Sequence, residues 1–143
     1  MSSQNSGSAP SPAPGHGALI LVVERNPVVQ RLERYFLEHA GFSVEFTADG
    51  LIALARAREL RPAILVAEIL VPKLDGLSLC RAIKSDAETR NILVMIFSHL
   101  HAEDRATEAG ADAFLTKPVD EEVLIQTVER LLALKKKVGG NRS

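Results

Sequence analysis

Apolar and polar positions along the chain alternate between two rhythms. Ala18–Val23 and Ala63–Ala67 are near-continuous runs of Ala, Leu, Ile and Val, the pattern of strands buried on both faces. Ile92–Phe97 and Ala113–Thr116 repeat that pattern, and Phe42–Phe46 reads as a more amphipathic strand. Helical spacing fills the intervals. Asn26-Pro27 supplies an N-cap and a proline suited to the first helical position, Val29, Leu32 and Phe36 form an apolar stripe, and Gly41 closes the segment. Asp49-Gly50 opens a second helix that reaches Leu60 and is stopped by Arg61-Pro62. A third helix carries Leu79, Cys80, Ala82 and Ile83, and a short polar fourth spans His101–Ala109 before Gly110. The last helix buries Leu124, Val128, Leu131 and Leu132, with Asp120, Glu121 and Glu122 in its first turn and Lys135, Lys136 and Lys137 in its last, as the helix dipole favours.

Strands joined through helices require right-handed crossovers, hence an α/β fold: a doubly wound parallel sheet with helices on both faces. Ligand chemistry in such a fold lies beyond the carboxyl ends of the strands. There the chain sets Glu24-Arg25 after the first strand, Glu68 after the third, Ser98 after the fourth and Lys117-Pro118 after the fifth. The formal charges of Glu24, Arg25, Glu68 and Lys117 cancel.

Composition narrows the classes. A chain of 143 residues with 46% hydrophobic and 24% charged residues is one ordinary globular domain. A net charge of −1 argues against a nucleic-acid or anionic-membrane partner. The single cysteine, Cys80, excludes an internal disulfide framework and reads as a core thiol in a reducing compartment. No apolar run approaches the roughly 20 residues that span a bilayer, and no secretory signal opens the chain, so the expected location is cytoplasmic. Residues 1–17 read as a disordered Ser/Pro/Gly-rich tail or tether, 18–137 as the domain and 138–143 as a frayed C-terminus. His99 and His101 lack a third ligand at metal-binding spacing, no Gly-rich phosphate loop occurs, and Asp75 is placed to cap the turn before Gly76. No metal and no cofactor are therefore expected.

Leu21-Val22-Val23-Glu24-Arg25-Asn26-Pro27, the stretch Glu68…Pro72…Asp75-Gly76, Ser98, and Ala109–Pro118 together resemble the receiver domain of bacterial two-component response regulators, over about residues 18–137. The resemblance implies a flavodoxin-like fold with five parallel strands in order 2-1-3-4-5. It further implies a pocket in which two acids after strand one hold Mg²⁺, an aspartate after strand three accepts a phosphoryl group, and a Ser/Thr and a Lys bind the phosphoryl oxygens. Ser98 and Lys117 match those last two positions and Glu24 the first acid. Arg25 stands at the second acid, and Glu68 at the acceptor aspartate. Phe114 matches an aromatic whose rotamer reports activation, and Pro118 follows a cis bond in the family.

A guanidinium where Mg²⁺ expects an acid removes an attraction and adds a repulsion, and it can instead fork onto Glu24 or Glu68. The extra methylene of Glu68 displaces the would-be nucleophile by about a bond length, and a misplacement near 1 Å costs on the order of 100-fold in rate. The expectation is a non-enzymatic pseudo-receiver, a phosphorylation-independent signalling and interaction module held in one state by Glu68. Its partner, a signalling protein or a second copy in a homodimer, would dock on the face built by helix 4, strand 5 and helix 5. The alternative is a working receiver in which Glu68 serves as a slow phosphate relay or sink. With no further domain in the sequence, output is expected to pass through another protein.

Overall fold

The computed structural model of the chain describes residues 17–141. Its elements are β1 (Leu19–Val23), α1 (Pro27–His39), β2 (Ser43–Thr47), α2 (Gly50–Leu60), β3 (Ile64–Ala67), α3 (Gly76–Ser85), β4 (Leu93–Ser98), α4 (Glu103–Glu108), β5 (Ala113–Thr116) and α5 (Glu121–Asn141). The five strands form one parallel sheet in the order β2-β1-β3-β4-β5. This is the flavodoxin-like topology expected from the sequence.

Strand pleating divides the core in two. Leu21, Val23, Leu65, Ala67, Val94 and Ile96 face α2, α3 and α4, where Ala53, Ala57, Leu79, Cys80, Ile83 and Ala106 complete one layer. The alternate positions Ile20, Val22, Ile64, Val66, Met95 and Phe97 face α1 and α5, meeting Leu37, Leu124, Val128 and Leu131. Successive strand residues point to opposite faces, so a strand that is apolar at every position is what a sheet covered on both sides needs.

Asx caps start three of the helices. Asn26, Asp49 and Asp75 each accept two backbone N–H groups from the first turn of α1, α2 and α3, at 2.7–3.4 Å. The cap on α3 is the role foreseen for Asp75. Gly41, with φ 98°, ends the α1 segment in a conformation that a side chain would disfavour.

Two features depart from expectation. The buried residues of α1 are Glu33 and Leu37, while Leu32 is 42% exposed. The inward stripe runs through Val29, Glu33, Phe36, Leu37 and Ala40, a good helical repeat with a carboxyl at its centre. Helix α5 continues to Asn141, so Lys135 to Lys137 lie within it rather than in its last turn. Lys135 Nζ donates to the Asn91 carbonyl at 3.1 Å. The tail assigned to residues 1–17 lies outside the described residues except for Gly17, as do Arg142 and Ser143 of the C-terminal segment.

Candidate functional site

Register brings the strand ends level. Val23 pairs with Thr47 and Ala67, Ala67 with Ile96, and Ser98 with Thr116. Glu24, Glu68, Ser98 and Lys117 therefore emerge side by side along one edge of the sheet. Glu24 and Glu68 are 2% and 4% exposed and Ser98 is fully buried.

Lys117 joins the two acids. Its ammonium lies 2.5 Å from Glu24 Oε1 and 2.8 Å from Glu68 Oε1. Glu24 Oε2 accepts the Asn26 N–H at 2.9 Å, and the Gln30 amide donates to the Glu24 backbone carbonyl. Glu68 Oε2 accepts the N–H groups of Ile69 and Leu70 at 2.6 and 3.2 Å and the hydroxyl of Ser98. The Ser98 hydroxyl in turn accepts the Leu100 N–H at 3.2 Å. Burial pushes the Glu68 carboxyl up, but the bonds and charge of Lys117, with those from Ser98 and Leu70, outweigh it and hold the group below its ordinary value. Burial pushes Lys117 down, and its two carboxylate partners more than reverse this. The Glu68 loop folds tightly on α3: a Cβ at Gly76 would lie 2.4 Å from the Glu68 carbonyl oxygen, so only glycine fits there.

Arg25 takes no part. It is exposed and makes no ion pair or hydrogen bond among the described residues, so the expected fork onto Glu24 or Glu68 is not formed. Neighbouring residues of extended backbone point to opposite sides. With Glu24 turned inward, Arg25 turns out. The cation that bridges the acids is Lys117, and the inner pocket holds two acids against one base rather than a cancelled set.

Among the sequence-marked residues, Phe114 is half-buried against the α2–α4 layer. It lines an open hollow of about 440 Å³ with His101, Glu103, Arg105 and Thr116. Lys117-Pro118 is cis, and Pro118 lines a smaller hollow of about 110 Å³ against Val123 and Leu124 of α5. His99 is exposed, its Nδ1 3.6 Å from Glu68 Oε1. Cys80 is fully buried, and burial pushes its thiol up to about 11, as befits a core residue. The sequence reading missed Glu33. Its side chain, 1% exposed, is close enough to feel the charges of Glu24, Lys117 and Glu68. The signal that could have found it is the Val29–Glu33–Phe36–Leu37–Ala40 repeat.

A doubly wound sheet with acids, a hydroxyl and a lysine at the carboxyl ends of its strands defines a signalling receiver. The sequence model of the response regulator receiver domain matches residues 20–129, and the chain belongs to that family. It is 32% identical over 116 residues to the polar-differentiation response regulator DivK of Brucella anthropi, covering 79% of this chain and 94% of that protein. Identity to the DNA-binding transcriptional regulator RpaA of Synechocystis is 33% over 116 residues, again 79% of this chain but 48% of that protein. The chain thus spans about half the length of RpaA and of the similar CseB regulators of Streptomyces. Among solved structures, the receiver domain of a Syntrophus aciditrophicus histidine kinase superposes with a TM-score of 0.77 at 33% identity, covering 82% of this chain and 91% of that one. The receiver domain of a Pseudomonas aeruginosa sensor kinase, with magnesium in its active-site cleft, gives 0.76 at 28% identity, covering 82% and 98%.

The donor set here does not fit that magnesium. All four carboxylate oxygens of Glu24 and Glu68 already accept hydrogen bonds from Lys117, Asn26, Ser98, Ile69 or Leu70. A base, Arg25, stands in place of the second acid. Among the described residues no group of three His, Cys, Asp or Glu is arranged to hold a metal ion. Mg²⁺ requires near-ideal octahedral oxygen coordination and gives up water reluctantly, so it would have to displace a bonded ammonium to bind.

Proposed function

We propose that this receiver is a pseudo-receiver, which signals by protein–protein interaction without Mg²⁺-dependent phosphorylation. The observation that carries the reading is the seating of the Lys117 ammonium on both Glu24 and Glu68, with Ser98 on the remaining Glu68 oxygen. Phosphoryl transfer depends on positioning and on neutralising developing charge, which the metal normally supplies. Here both acceptor oxygens are engaged and the two acids share one ammonium.

The same contacts support a state. Ser98 and Lys117 match the family positions that grip phosphoryl oxygens, and both already grip the Glu68 carboxylate. Glu68 thereby stands in for the modified acceptor, and the face formed by α4, β5 and α5, with Phe114 beneath it, is held ready for a signalling partner. A homodimer through that face belongs to the same reading. So does an output passed through a protein partner rather than through nucleic acid.

Incubation with acetyl phosphate and Mg²⁺, read by intact mass, tests the chemistry. The expected result is an unchanged mass. A stoichiometric gain of one phosphoryl group would overturn the reading and make Glu68 a phosphate relay.

A further inference from the structure

Glu33 is a buried acid that the proposed pocket chemistry does not use. It lies midway along α1, the helix that brings Leu37 to the layer of Leu124 and Val128, is 1% exposed, and its Oε1 has no hydrogen-bond partner among the described residues. A carboxyl with a buried oxygen that lacks a partner is costly as an anion, and it is expected to keep its proton. The charged groups it feels are Glu24 from the end of β1, Glu68 from the end of β3 and Lys117 from the end of β5. On its own helix, Arg34 is committed to Glu38 at 3.1 Å and stacks over Phe46. Of the buried α5 residues, Leu124, Val128 and Leu131 are apolar and Thr127 donates its hydroxyl to the Val123 carbonyl, so none carries a charge. Among the described residues the cation whose charge bears on Glu33 is Lys117, and it is already shared between two carboxylates.

We propose that Glu33 is a proton-operated control on the receiver pocket. Protonated, it leaves Lys117 bridging Glu24 and Glu68. Ionised, it becomes a third carboxylate competing for that single ammonium, loosening Lys117 from Glu68 and with it the grip of Ser98. The inference rests on the reading that the Lys117–Glu68–Ser98 array sets the signalling state. It adds the signal that state responds to, a shift towards alkaline pH. Burial first, then the charge of Glu24, raises the Glu33 carboxyl to about 8, with Lys117 opposing and Glu68 adding, which puts the transition within reach of a mildly alkaline solution.

Nuclear magnetic resonance on the full chain, labelled at glutamate carboxyl carbons and backbone amides, tests this between pH 5.5 and 9.5. The expected result is a one-proton transition at Glu33 near pH 8, with the amides of Ile69 and Leu70, which donate to Glu68, moving at the same midpoint. In Glu33→Gln the amide transition should vanish. In Glu33→Asp it should persist at a shifted midpoint. Titration of Glu33 in the ordinary carboxyl range would overturn the proposal. So would titration near pH 8 with both amides unmoved, the behaviour of an acid that is merely buried. The wild-type measurement decides alone if a variant fails to fold. Phosphorylation by acetyl phosphate would instead refute the pseudo-receiver reading and leave this titration intact, so the two failures are separable.

Discussion

Replacing Lys117 by methionine removes the pocket's bridging charge while keeping an unbranched side chain over Phe97. The side chains of Glu24 and Glu68 are each 3% exposed and that of Lys117 13%, so the loss is not made good by water. At an effective dielectric of 20, contacts at these distances carry ~6 kcal/mol of attraction each. Much of that offsets desolvation and repulsion between the two acids. Removing one partner of a buried pair typically costs on the order of 4 kcal/mol, a large part of the stability of a domain this size. Urea unfolding followed by circular dichroism at pH 7 and pH 4 reads it out. Glu68 has its carboxyl held below the ordinary value in the folded protein, so its stabilising share is present above that value and lost as pH falls through the lowered one. The variant can relieve its uncompensated charge by taking up protons. The gap between wild type and Lys117→Met should therefore be large at pH 7 and shrink by about half or more at pH 4. A gap below about 1 kcal/mol at pH 7, or an equal gap at both pH values, would refute the charge accounting. Arg25→Ala is the control: an exposed side chain without partners should change stability by less than about 0.5 kcal/mol.

Two further outcomes follow from the same groups. Glu68→Asp alone should bind no Mg²⁺ by calorimetry and accept no phosphate, whereas Glu68→Asp with Arg25→Asp restores the second acid and the shorter acceptor and should gain millimolar Mg²⁺ binding; recovery by the single change would show that the base at position 25 is immaterial. Glu33 has its folded value raised from 4.5 to about 8, so its contribution to stability is fully present below pH 4.5 and is lost as pH rises through 8. Glu33→Gln should remove up to about 1.4 kcal/mol per pH unit of that decline, measured by urea unfolding at pH 5, 7 and 8.5.

Much of the molecule was legible in the sequence because local chemistry and global packing agree. Strands apolar at every position announce a sheet covered on both faces, and Asn26, Asp49 and Asp75 announce helix starts that the backbone N–H groups then use. The positions of Glu24, Glu68, Ser98 and Lys117 followed from strand ends alone. What stayed hidden was direction. Arg25 counts as a pocket charge only if adjacent residues share an orientation, and extended backbone forbids that. Glu33 was passed over because a charged residue beside Leu32 is ordinarily assigned to solvent. The helix phase set by packing on β2 and α5 turns the stripe by one residue and buries the acid instead.

These two corrections meet in the pocket's charge balance. With Arg25 outside and Glu33 inside, two carboxyl groups hold one ammonium and a third feels its charge. The receiver pocket implied by the family also holds three carboxylates and one lysine, a formal −2 that Mg²⁺ cancels. Here the third acid is buried, with its carboxyl pushed up to about 8, and the two remaining acids share Lys117, so below that pH the inner charge is −1 without a metal. A proton is a weaker counter-ion than Mg²⁺ but a more adjustable one. It leaves with a modest change of pH, whereas a coordinated divalent ion leaves only when its ligands do. In the reading proposed above, the geometry that gives up metal-assisted phosphoryl chemistry is also the geometry in which protonation of one buried glutamate governs where the lysine sits.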